Sequence, residues 1–96
     1  MLNNNTGRAL EFTQSARRHR IGKARILAVL AEPDTVVLTE GPAGQPPRLL
    51  VVGRDGSGRA LEVVVVAEVD RFVVIHAMHL RPKYGRFLVG GSDEWS

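Results

Sequence analysis

The sequence predicts an α+β domain: two N-terminal helices packed on a four-stranded antiparallel meander sheet, closed by a short C-terminal helix. Three observations carry this. Four runs rich in Val, Ile and Leu, at residues 35–39, 48–53, 59–67 and 71–78, read as strands. Between them lies turn chemistry: a Gly- and Pro-rich loop over 41–47, Asp55-Gly56-Ser57-Gly58, and a polar break at Glu68, Asp70 and Arg71. Ahead of them, Ile26, Leu27 and Leu30 recur at helical spacing until Pro33 blocks continuation. With 96 residues the chain makes one domain, because two would each bury too little apolar surface to offset chain entropy.

Taken in order, residues 1–11 lack periodicity and are expected to be a flexible lead-in to a domain over 12–90. Thr13 reads as an N-cap whose hydroxyl accepts from the first turn, with Phe12 packing back as a staple. A helix is expected over 14–20, with Phe12, Ala16 and the His19 ring on its inner side, until Ile21-Gly22 interrupts it. The second helix runs from Gly22 to Pro33, and the four strands follow. After Leu80-Arg81-Pro82 turns the chain, residues 83–88 are expected to form one or two helical turns, leaving a flexible tail over 91–96 that holds Trp95. Helices on one face would leave the other face of the sheet open, which an antiparallel sheet tolerates if that face is partly polar. A site is expected there.

Composition narrows the function. The apolar fraction of 44% suits a globular protein, and no apolar run approaches the ~20 residues needed to cross a bilayer. Residues 1–12 show no secretory signal, so the cytoplasm is the expected compartment. The chain has no cysteine, and its three histidines show no ligand spacing, so neither metal nor cofactor is expected. Net charge is +3, and its distribution is uneven. Residues 17–25 hold Arg17, Arg18, Arg20, Lys23 and Arg25 without an acid, and residues 71–91 hold Arg71, Arg81, Lys83 and Arg86, again without one. Two such runs suit a polyanionic partner; the alternative is a pair of ordinary solvated surfaces.

The candidate site lies on the last two strands. Glu62 enters one, and His76 leaves the other, followed by His79, Arg81, Lys83 and Tyr84. Strict alternation places Phe72, Val74, His76 and Met78 on one side, and a hairpin loop over 67–71 would set Glu62 directly opposite His76. A one-residue slip would separate them. Glu62, His76 and Tyr84 are the candidate catalytic groups, and Arg54, Arg59, Arg81 and Lys83 the candidate phosphate contacts. His76 also reads as a structural imidazole, hydrogen-bonded to Glu62 and holding the hairpin together.

Several short pieces, in this order, resemble the BrnT-like toxins of the wider RelE-like group found in bacterial toxin–antitoxin pairs. They are Phe12-Thr13, Ala16, Arg18-His19-Arg20-Ile21, Glu32-Pro33-Asp34, Leu50-Val51-Val52-Gly53-Arg54, Gly58-Arg59-Ala60-Leu61-Glu62-Val63-Val64 and Val74-Ile75-His76-Ala77-Met78. The likeness covers roughly residues 12–88. It implies a RelE/BrnT-like α+β fold, a metal-independent endoribonuclease that cleaves RNA by 2′-OH attack, and a cognate antitoxin protein as partner. RNA supplies its own nucleophile, so such an enzyme needs a base, an acid and cations around the phosphate. The competing expectation is a non-enzymatic module that binds nucleic acid or a partner protein. A small sheet with open edges also leads us to expect a homodimer or a tight hetero-complex.

Overall fold

The computed structural model describes residues 9–89. The chain forms β1 (Ala9–Phe12), a 3₁₀ turn (Ser15–Arg17), α1 (Lys23–Ala31), β2 (Thr35–Thr39), β3 (Arg48–Arg54), β4 (Ala60–Ala67), β5 (Arg71–His79) and a C-terminal 3₁₀ segment (Pro82–Phe87). One sheet holds all five strands in the order β1-β5-β4-β3-β2. Strands β2 to β5 pair antiparallel with their chain neighbours, whereas β1 lies parallel to β5, Ala9 beside Arg71 and Phe12 beside Val74. Of the loose ends expected at residues 1–11 and 91–96, residues 1–8 and 91–96 lie outside the described residues, whereas residues 9–11 belong to β1.

This corrects the expected architecture. Among the described residues the sheet is mixed and five-stranded, not a four-stranded antiparallel meander, and a single α-helix packs on it where two were expected. The two-helix, four-strand fold implied by the toxin resemblance is therefore not the fold of this chain. The physical reason lies in residues 13–20. Thr13 does accept the Ala16 N–H at 3.3 Å, as an N-cap would. The turn that follows buries only Ala16, however, and its arginines offer no apolar stripe to continue it. Instead the segment bonds to the outer edge of β5. Thr13 donates its N–H to the Val74 carbonyl at 3.0 Å, and Ser15 donates its hydroxyl to the Ile75 carbonyl at 2.8 Å. Arg20 then adopts φ 61, which ends any helix there.

From that edge the chain crosses one face of the sheet through α1 and enters β2 at the opposite edge. Ile26, Val29 and Leu30 turn inward and meet Val51, Leu61 and Val63 in the larger core. The helix end presses close because Gly53 has no side chain: a Cβ there would lie 3.3 Å from both Pro33 Cα and Val29 Cγ1. The second face is partly covered rather than fully open. Leu80 and Leu88, with the ring of Phe87, fold back over Leu50 and Val52 to make a smaller core. Thr35 donates its hydroxyl to the Phe87 carbonyl at 2.6 Å and Asp34 accepts the Val89 N–H at 2.9 Å, pinning the C-terminal segment to the start of β2. Among the described residues, strand β2 keeps one edge unpaired, with Val36 and Leu38 exposed. Among the described residues, no helix is long and apolar enough to cross a membrane.

Candidate functional site

Glu62 and His76 meet on the face that the C-terminal segment partly covers. They are not directly opposite: Glu62 faces Met78, and His76 faces Val64, so the pair is diagonal. What puts them on one face is a bulge. The register shifts between Val64 and Val65, where β5 runs from Val74 to His76 and leaves Ile75 without a partner on β4. Phe72 and Val74 join the α1 side, as does Ala77, while His76 and Met78 point the other way. Without the extra residue, His76 would sit opposite Val63, in the core beneath α1. Because a carboxylate only accepts, the 3.1 Å contact between His76 Nε2 and Glu62 Oε1 places the ring proton on Nε2 and leaves Nδ1 as the basic nitrogen.

Glu62 is fully buried. A buried carboxylate is tolerated only when its oxygens are satisfied, and here Arg81 does most of that. Its Nη2 donates to Oε1 at 2.6 Å, its Nε reaches both oxygens at 2.9 and 3.1 Å, and its own backbone N–H donates to Oε2 at 3.1 Å. Burial pushes the carboxyl up, but the Arg81 bonds and His76 outweigh it, and the net value lies below the ordinary 4.5. Asp55 is held down as well, by hydrogen bonds from Ser57, Arg25 and the Arg59 backbone. Both acids therefore have depressed folded-state values. Their contribution to stability is present above the unfolded carboxylate range and is lost as pH falls through the folded values. The melting temperature should hold above about pH 5 and drop progressively below about pH 4. Thermal melts across that range check this; a midpoint that rises on acidification would contradict it.

The remaining candidates divide by position. Arg81 lies 5.4 Å and Lys83 4.9 Å from the Tyr84 ring centroid, so Tyr84 acts as a platform for two cations, and it stacks in turn on Phe87. Arg54 lies on the same face as Glu62, one row nearer the strand end, and donates to the Gly58 carbonyl at 3.0 Å. Arg59 sits in the β3–β4 turn, where its backbone N–H donates to Asp55. His79 pairs with Leu61 and so belongs to the other face. Sequence reasoning missed two features. One is the edge-on contact of the His19 and His76 rings at 5.6 Å, which brings the first cationic run beside the site. The other is buried Asp55, whose 2.7 Å bond from Arg25 ties the β3–β4 turn to α1. The His19 contact joins residues far apart in the chain and left no local signal. The Asp-Gly-Ser-Gly turn did mark Asp55 as a turn former.

Among the described residues, no group of three His, Cys, Asp or Glu side chains is placed to hold a metal ion. No family model matches the chain, and neither the curated proteins nor the solved structures contain a match. The likeness to the BrnT-like toxins thus rests on the short motifs alone.

Proposed function

We propose that this protein binds single-stranded RNA through its phosphate backbone. The supporting observation is the line of contacts from His19 through His76 and Glu62 to Arg81 and Tyr84, which joins the two cationic runs. Along that line the only carboxylate is buried and already neutralised by Arg81. Arg17, Arg18, Arg20, Lys23, Lys83 and Arg86 have no carboxylate partner among the described residues, since the ion pairs there engage Arg25, Arg71, His76 and Arg81. Six cations neutralising phosphates of a single strand give a log–log salt slope of about −4, or on the order of 10²-fold weaker binding between about 50 and 200 mM salt. Fluorescence anisotropy with a labelled RNA tests this, using Arg48→Gln, at the far end of β3, as the control variant. Salt-insensitive binding, or none, would remove the phosphate reading.

A second reading has its own support: a histidine oriented by a buried carboxylate, with its second nitrogen left basic, is the arrangement of a positioned general base. On that reading His76 Nδ1 takes the 2′-OH proton, the 2′-oxygen attacks the adjacent phosphorus, and the 5′-oxygen leaves with a proton from a second group such as neighbouring His19. Arg81 and Lys83 would steady the charged phosphorane. Glu62 acts through His76 and Arg81, because a buried carboxylate does not reach substrate. The protein would then be the ribonuclease of a toxin–antitoxin pair, as the resemblance implies.

A further inference from the structure

We infer that the cleft between β1 and the start of α1 is a nucleoside-phosphate site. Its volume is about 360 Å³, within the size range of sites that take small organic ligands. Arg17, Arg20 and Lys23 line it with no acid among them, and Phe12, Ile21 and Ile26 supply an apolar wall and floor. The site is separate from the Glu62–Arg81 pair, none of whose residues line it.

The geometry suits a ligand with an anionic end and a ring. Arg20, at φ 61, donates its backbone N–H to the Arg17 carbonyl at 3.0 Å, so a tight turn carries both arginines to one rim. The Lys23 ammonium stands 5.2 Å from the Phe12 ring centroid, held against an aromatic face. Gathering three cations with no carboxylate among the described residues is unfavourable by mutual repulsion, and a phosphate relieves it with charge-assisted hydrogen bonds. Inorganic phosphate would leave the apolar floor unused. A nucleoside phosphate fills the rest of the cleft, with base or sugar along the part-exposed Phe12, above buried Ile21 and Ile26, and the phosphate between the arginines. The choice of a nucleotide rests on the RNA reading above; it is either free or part of a strand, and both present the same phosphate-and-ring chemistry.

The test uses the full chain and four ligands: AMP, inorganic phosphate, a short single-stranded RNA with a 5′-phosphate and the same RNA with a 5′-hydroxyl. AMP should shift the backbone amide signals of Arg17, Arg20 and Lys23, and inorganic phosphate should bind there more weakly. Arg17→Gln with Arg20→Gln, both exposed positions, should keep the fold by circular dichroism and lose at least tenfold in AMP affinity. A preference for the 5′-phosphorylated RNA identifies a strand end as the ligand, and equal RNA affinities with competition by AMP identify an internal nucleotide. AMP shifts confined to the Arg81 to Arg86 segment, or unchanged AMP affinity in the double variant, overturn the cleft and leave RNA binding standing. AMP bound in the cleft without affinity for either RNA overturns the RNA reading and leaves the cleft.

Discussion

Glu62→Ala should destabilise the fold by about 2–3 kcal/mol, the largest loss expected from any single polar substitution here. Removing one partner of a buried ion pair typically costs ~3–5 kcal/mol, because the other charge is left without compensation. The lower figure applies because the Arg81 side chain is 41% exposed and can turn to water. What remains unmet is the Arg81 backbone N–H and the His76 Nε2–H, both aimed at a carboxylate that has gone. Glu62→Leu paired with Arg81→Leu should recover much of the loss, since apolar replacement of both partners is often close to neutral. Arg81→Ala should blunt the acid-side loss of stability, because burial would then be opposed only by the backbone N–H of residue 81 and by His76. Urea titrations of the three variants measure this. A Glu62→Ala chain as stable as the original would mean the ion pair adds nothing net.

His76→Ala should separate the two functional readings. His76 is no part of the cationic clamp, so RNA affinity should stay within about twofold, while cleavage should fall by ~10²–10⁴, the range a positioned acid or base contributes. The protein should remain folded, because the His76 side chain is partly exposed and its removal leaves Glu62 still bound by Arg81. His19→Ala should also slow cleavage without weakening binding much. Cleavage of a labelled RNA in the presence of chelator is the measurement. Equal rates in the original chain and His76→Ala would rule out the ribonuclease reading and leave RNA binding as the function.

The local elements follow from residues that are neighbours in the chain. The β-branched runs that pattern reading placed at 35–39, 48–53, 59–67 and 71–78 correspond to Thr35–Thr39, Arg48–Arg54, Ala60–Ala67 and Arg71–His79, because alternating apolar residues between turn formers are a short-range signal. Pro33 and the Asp-Gly-Ser-Gly turn likewise act on the residues beside them. Other features depend on partners distant in the chain. Ala9–Phe12 is too short to show periodicity and becomes a strand only because β5 presents a free edge to it. The first expected helix is a single turn because Thr13 and Ser15 bond to β5 carbonyls rather than to a continuing helix.

The same contacts bear on the site. Alternation alone puts His76 on one side with Phe72 and Val74, yet the bulge at Ile75 sends it to the face of Glu62. The carbonyls of Val74 and Ile75, at that bulge, are the ones that Thr13 and Ser15 occupy. One unpaired residue in β5 thus settles whether a histidine lies in the core or beside a carboxylate. The bonds made there reach across about sixty residues of chain, for which no local pattern exists.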